Sequence, residues 1–581
     1  MSSAAGRVSS AWHARPGRHT GAGRVVWGIV LCVVVGVFTV LPAAWVIINS
    51  FNSAPPGDSF AFSTDGWSDI FSDPTTVKSI GYTFLLSLRI PIAMAIALAM
   101  TWAIVRMDLP ARKFIERCLW LAFFLPALPV TLGWLLLADP DYGLINKLLH
   151  SLPLLGGVTL SITSVAGIMW VYISLTTVPI MVILLSASLR QIDASYEEAS
   201  EASGASVPKT MRRVTFRLLL PAILTALVAG FITSLEVFEV EQILGTPVGI
   251  RVYSTQIFSY VGSVPPLYAQ ALALGTLFFF VLLVIAVAYQ IQVKRAGAHA
   301  TMTGSGSRVA RRPRTRAAYV VSGLMLLYIA IGVALPVIVL ILGSFSKLFG
   351  FFFIDSPWTT AHWSQVLHSS DFTTAARNSV IVGLGVGIVG TLLYALLAWT
   401  MVRTRIWGRS LIGVMVWLPW AIPGVLAGVA WLVIFLRVPG LSSLYGTLTP
   451  LVIVLVVKGL PLGTQMLRTS VEQVSEDLEA AARASGAGFA RTFRTVTLPL
   501  ISPMVVSVFM ILFMTSMRDV SSVVLLAPPE TRTLSLLMFS YATSGQLESS
   551  AVIGVMLAVL AMFVAGFASR IGLRMNMGQE A

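Results

Sequence analysis

Charge is what this sequence has least of. Of 581 residues only 39 are Lys or Arg and 25 are Asp or Glu, so 11% carry a formal charge, where soluble domains run near a quarter. That scarcity excludes a soluble globular protein, and a mean hydropathy of +0.85 excludes a disordered one. Cysteine is almost missing as well. Cys32 and Cys118 both sit in or beside apolar runs, which excludes a disulfide scaffold and a redox pair. No G-x-x-x-x-G-K-[ST] phosphate loop, H-E-x-x-H or C-x-x-C occurs, and the six histidines are scattered over tails and loops. The chain is therefore expected neither to hydrolyse ATP nor to catalyse covalent chemistry, and to hold no cofactor or resident metal.

What is abundant is apolar sequence, at 56%. A helix crossing the hydrocarbon core needs roughly 20 apolar residues. Twelve runs qualify, at about 25–50, 80–105, 115–138, 164–188, 218–240, 268–292, 317–345, 376–402, 411–436, 446–467, 499–520 and 550–573. The first is too long for a signal-peptide core and lacks a small-residue cleavage site, so it is expected to stay as a span. The net charge of +14 would suggest nucleic acid in a soluble chain. In a membrane chain it marks cytoplasmic loops, and no nucleic-acid partner is expected. Arg7, Arg15, Arg18 and Arg24, Arg106/Arg112/Lys113/Arg117 and Arg308/Arg311/Arg312/Arg314/Arg316 fall in the amino-terminal tail and on even-numbered connections, whereas Asp58, Asp65, Asp69 and Asp73 fall on an odd one. The expectation is an all-α, multi-pass protein of the cell membrane, embedded in the lipid bilayer, with both termini cytoplasmic.

The polar, basic stretch 293–316 reads as an exposed linker. Comparing the sequence on its two sides uncovers one unit used twice. YEEASEASGA at 196–205 answers LEAAARASGA at 478–487, an offset of 282 that also relates Pro179 to Pro461, Gly204 to Gly486 and Pro247 to Pro529. Trp102 and Arg106 answer Trp399 and Arg403, and Phe258-Ser259-Tyr260 recurs as Phe539-Ser540-Tyr541. The expected organisation is a basic tail (1–24), a first six-span domain (25–292), the linker (293–316), a second six-span domain (317–575) and a short tail (576–581). Because six is even, both halves share one topology and are related by an axis along the membrane normal.

Between the fourth and fifth spans of each half lies a polar, helix-prone stretch leading to a glycine and then to arginines. In the second half Glu479-Ala-Ala-Ala-Arg-Ala-Ser-Gly486 is followed by Val496, Leu498 and Pro499. Small residues on one helical face let another surface approach closely, and glycine permits a sharp turn. Arg212, Arg213, Arg491 and Arg494 hold the loop at the cytoplasmic surface. Such a helix suits docking into a protein groove.

This stretch resembles the EAA loop of the membrane-spanning subunits of binding-protein-dependent ABC importers, whose pattern is Glu-Ala-Ala, three residues, Gly, nine residues, Ile-x-Leu-Pro. The fused double layout is similar to the iron(III) and thiamine permeases of that family. In the first copy Glu198-Ala199-Ser200 and Gly204 stand in register but Phe216-Arg217 replaces Leu-Pro; in the second, Ala480 takes the glutamate position and Glu479 lies one residue earlier. The resemblance implies the type I importer permease fold, with ATPase-docking residues Glu198, Ala199, Gly204 and Ala205 in one loop and Glu479, Ala481, Gly486, Ala487 and Phe489 in the other. It also implies two cytoplasmic ABC ATPase subunits as partners. An extracytoplasmic substrate-binding protein would then deliver to outer loops at about 51–79, 241–267, 346–374 and 521–549. Segment Glu236–Pro247 looks most like the iron(III) permeases, ahead of those for 2-aminoethylphosphonate, thiamine and polyamines. A gradient-driven twelve-span secondary transporter would share the two halves but lack the twin loop.

Ionisable groups at membrane depth are costly and mark candidate path residues. Lys458, ten residues before Arg468 and so about 15 Å of helix from it, falls near the midplane; Arg89 falls in the outer third. The fifth span ends in Glu236, Glu239 and Glu241 and its repeat partner in Arg518-Asp519. Glu236 and Arg518 are repeat equivalents of opposite charge, so the expectation is that they pair across the axis as an outer gate. Lys458, Arg89, Glu236, Glu239, Arg518 and Asp519 are the candidate path or gate residues.

Overall fold

The structure, a computed structural model, describes residues 22–54, 58–153, 155–297, 313–404 and 406–572. Most of the amino-terminal tail, the carboxy-terminal tail and most of the linker lie outside the described residues, as do Arg7, Arg15 and Arg18. The described residues are all-helical apart from isolated bridges. Nine helices are long and apolar enough to cross a membrane, or twelve spans if three sharply bent helix pairs each count once. In order these are Val25–Asn49, Pro74–Arg106, the pair Arg112–Phe124 and Ala127–Ala138, Val165–Arg190, Val207–Leu235, Tyr268–Ala288, Arg316–Ser344, Ser370–Arg403, the pair Arg409–Ala421 and Gly424–Arg437, Thr449–Gln473, the pair Phe493–Leu500 and Ser502–Arg518, and Leu547–Gly566.

The third and ninth spans bend by 103° and 107°. Pro126 and Pro423 sit at the two breaks, where a missing N–H and a ring clash interrupt the hydrogen-bond ladder. The second span starts earlier than hydropathy alone places it. Asp73 caps its first turn by accepting from the backbone N–H of Thr75 and Thr76, at 3.0 and 3.2 Å. Hydroxyls in its first half are satisfied within the helix, Thr83 donating to the Ser79 carbonyl and Ser87 to that of Thr83, which suits a lipid environment.

The halves interlock. The first span packs on the ninth, in the second half, and the seventh packs on the third, in the first half. A Cβ on Gly28 would meet the Trp407 carbonyl oxygen at 2.5 Å, and one on Gly133 would meet that of Pro336 at 2.1 Å. Each contact thus admits only glycine without a shift of backbone. One buried core runs continuously through both halves.

Two stretches expected as outer loops fold inward instead. After the fifth span the chain makes a buried helix, Tyr253–Val261, and after the eleventh a second, Leu534–Thr543. Val520, Val523, Leu526 and Leu534 to Phe539 are largely buried, as are Leu244, Val252 and Ile257. The apolar side chains in these connections are inconsistent with an exposed loop, and burying them lines the inside of the bundle.

Candidate functional site

The stretches between the fourth and fifth spans of each half fold as two short helices, Ser195–Ala202 and Glu476–Ala484. Each ends at a glycine in the left-handed region, Gly204 at φ +86° and Gly486 at φ +84°, with nothing within 4 Å of an added Cβ. Glycine is needed there for conformation, not for space.

Each helix is fastened to the bundle by one buried glutamate. Glu197 accepts from Thr215 Oγ1 at 2.7 Å and lies 3.2 Å from Arg106 Nε. Arg106 also donates to the Ile192 carbonyl at 2.8 Å. At the 282-residue offset Glu479 accepts from Thr497 Oγ1 at 2.7 Å and from Trp399 Nε1 at 3.2 Å, with Arg403 Nε at 3.4 Å. Arg403 and Thr497 are the repeat partners of Arg106 and Thr215, so the same anchor is built twice.

This corrects the reading of the motif. Glu479 is 2% exposed and turned inward, so it anchors the helix and cannot itself touch a partner. Its repeat equivalent, one residue before the motif position, is Glu197. Glu198, Ala199, Gly204, Ala481 and Gly486 are exposed, and Ala205 and Ala487 half-buried. Phe489 begins a short helix, but its side chain lies outside the described ones. Two apolar residues overlooked in the sequence stand out beside them: Tyr196 and Leu478, repeat equivalents, are 41% and 50% exposed. The offset that aligned the glycines would have found both.

Inside the membrane the ionisable groups form partnerships other than those expected. Lys458 binds Asp519 and donates to Ser522 Oγ at 2.8 Å, while Asp519 Oδ1 accepts from the Ser522 N–H at 2.9 Å. Both share a cavity with Glu236. Arg518 does not pair with Glu236. It donates to the Phe123 carbonyl at 2.8 Å and lies over the Phe123 ring. Phe123 is in the last turn of the helix that breaks before Pro126, so Arg518 satisfies a carbonyl that the break orphans. Glu239 lines a small cavity with Arg518, Pro126 and Pro129.

Arg89 lies off the large cavity, 1% exposed. It is 4.0 Å from Glu241, lies 4.1 Å from the Tyr172 ring centre and donates to the Ser234 carbonyl at 3.3 Å, while Tyr172 donates to Glu241 at 2.7 Å. Tyr172 and Glu241 correspond to Val454 and Val523 at the same offset, and Lys458 and Asp519 to Thr176 and Val237. Each half thus carries its own ion pair at positions that are apolar or neutral in the other.

One pair of repeat equivalents does meet. The rings of Phe258 and Phe539 lie 6.2 Å apart edge to face, and Phe238 touches both, at 5.2 and 5.5 Å. Three aromatic rings from the two halves thus pack together, whereas the expected charge pair does not form.

Comparison with known proteins places this architecture. The sequence profile of the family described as "Binding-protein-dependent transport system inner membrane component" matches twice, at residues 90–297 and 387–577. The chain belongs to that family. It is a multi-pass inner membrane permease component, non-catalytic, in which the family unit occurs twice, and the gradient-driven alternative falls away. Among curated relatives, a ferric transport system permease protein of Actinobacillus pleuropneumoniae is 26% identical over 66% of this chain and 56% of its own length. A putative 2-aminoethylphosphonate transport system permease protein of Salmonella paratyphi A is 27% identical over 42% of this chain and 90% of its own. The chain spans little more than half the length of the ferric relatives it matches. A solved bacterial ABC transporter involved in alginate import aligns over 46% of the chain with 20% identity and a TM-score of 0.38, too distant to carry any argument.

Proposed function

We propose that this chain forms the whole membrane pathway of an ATP-driven importer, docking one ABC ATPase subunit on each of its two cytoplasmic helices and receiving substrate from an extracytoplasmic binding protein. The observation that carries the reading is the duplicated anchor. Arg106–Glu197–Thr215 and Arg403–Glu479–Thr497 hold two helices in equivalent poses, each presenting an exposed apolar residue and a flexible glycine. Two equivalent handles are what a pair of identical motor subunits needs. Closure of the motors would move both handles together and switch the path between its two sides, with the Phe238, Phe258 and Phe539 rings as the barrier.

Lys458, Glu236 and Asp519 line the substrate path in this reading, Glu239 and Arg518 stand beside it, and Arg89 stiffens the first half. The substrate we propose is iron(III), on the strength of the ferric relatives; the zwitterion 2-aminoethylphosphonate is the second reading, favoured by a relative of that name and by an ammonium and a carboxylate in one cavity. Co-expression with candidate ATPases and binding proteins, followed by vanadate-sensitive uptake in proteoliposomes, tests the assignment. Uptake by this chain alone, without ATP, would overturn it.

A further inference from the structure

In the cavity shared by Glu236, Lys458 and Asp519 two carboxyl groups face a single ammonium, so it holds one more acidic group than basic. Asp519 is fully engaged: one carboxylate oxygen takes Lys458, the other the Ser522 N–H at 2.9 Å, and Ser522 Oγ lies at 3.4 Å. That pair sums to zero. Glu239 and Arg518, of opposite sign, share their own small cavity. Glu236 is left. It lines the same cavity as the ion pair, and among the described residues no side chain hydrogen-bonds its carboxylate.

The remaining wall is mostly apolar and aromatic, including Phe38, Trp420 and Trp431. In such surroundings a carboxylate interacts strongly with any cation that enters, and indole faces add to the attraction. An anion would be repelled by Glu236 and find only an ammonium already bound by Asp519. The sign of the unanswered charge therefore decides the class of guest.

We infer that this cavity is a cation-binding subsite in which Glu236 is the open ligand and Lys458 is the resting counter-ion of Asp519. The inference rests on the reading of the cavity as part of the transport path. A cation bound at Glu236 lies within reach of Asp519, which can exchange Lys458 for it. Two carboxylates without a closed shell of ligands hold a guest weakly enough to release it, as a pathway requires. Among the described residues no group of three His, Cys, Asp or Glu is arranged to hold a metal permanently, so the subsite is one for passage.

The test uses this 581-residue chain purified in detergent, with its unfolding midpoint followed as each of three probes is titrated: spermidine, thiamine and inorganic phosphate. Ligand binding to the folded state raises the midpoint. A saturable rise with at least one cationic probe and none with phosphate is expected. Glu236→Gln should lose that rise and Glu236→Asp should keep part of it, which separates ligation from misfolding. Lys458→Gln should respond at a concentration at least tenfold lower, because Asp519 is released. The inference is overturned if phosphate is the stabilising probe, if no cationic probe shifts the midpoint, if the cation response survives Glu236→Gln, or if Lys458→Gln abolishes it. A cation response in a chain that fails to transport with its ATPases would instead count against the importer reading and leave the subsite standing.

Discussion

Replacing Glu197 and its neighbour Glu198 separately by alanine distinguishes an anchor from a contact. Glu197 is 5% exposed and Arg106 is 1% exposed, so Glu197→Ala leaves a buried guanidinium without its carboxylate and the Thr215 hydroxyl without its acceptor. Breaking a buried pair in this way costs about 3–5 kcal/mol. Arg106 keeps its bond to the Ile192 carbonyl, which puts the expected cost near the lower end, about 3 kcal/mol. At 1.4 kcal/mol per decade that shifts the balance between seated and released helix by about a hundredfold. Glu198→Ala removes an exposed side chain and should change stability by no more than about 0.5 kcal/mol. Hydrogen exchange across 195–215 in the purified protein reads the first effect, and substrate-stimulated ATPase activity of the assembled complex reads the second. We expect Glu197→Ala to lose protection and coupling together, and Glu198→Ala to keep protection while weakening coupling. Equal protection in both variants would refute the anchor.

Further outcomes follow from the same geometry. Gly486→Glu forces a side chain into the left-handed region, at about 1–2 kcal/mol, and puts a charge on the docking face; uptake should fall while insertion and folding stay normal, and normal uptake would count against docking there. Gly133→Ala should lower the thermal midpoint, by about 1–3 kcal/mol of overpacking, because its Cβ meets the Pro336 carbonyl at 2.1 Å; Gly81→Ala, with nothing within 4 Å, is the control. Partial burial pushes the Asp73 carboxyl up, but hydrogen bonds from Thr76, Thr75 and Tyr260 outweigh it and hold it below the usual range. Its folded value is depressed, so its contribution is present above the unfolded value, about 3.9, and is lost as pH falls through the folded one. Asp73→Asn should flatten the acid limb of a stability profile below about pH 4.

The span count, the order of the spans and the division into two related halves were legible because each depends on composition over roughly twenty residues, which a bilayer imposes on any chain. The breaks at Pro126 and Pro423 were legible as bends but not as right angles, since a proline states where a ladder fails and the packing of neighbouring helices decides how far it turns. The ionisable residues stood out against apolar surroundings, but their partners did not. Placing Lys458 near the midplane and Asp519 at the mouth assumed that both helices run straight to the surface. In the structure the chain after Arg518 turns inward, and the two groups meet.

The expected Glu236–Arg518 pair shows the limit of reading a repeat. An offset identifies residues that occupy the same place in each half, and a twofold axis puts such residues on opposite sides of the molecule unless they lie on the axis itself. Phe258 and Phe539 are such equivalents and touch. Glu197 and Glu479 form two separate, matching anchors. Glu236 and Arg518 differ in their surroundings, one lining the cavity and the other bound to the carbonyl exposed by a broken helix. Equivalence in sequence is thus evidence for duplication of a role where the residues agree, as at the two anchored helices, and for division of labour where they differ, as at Glu236 and Arg518.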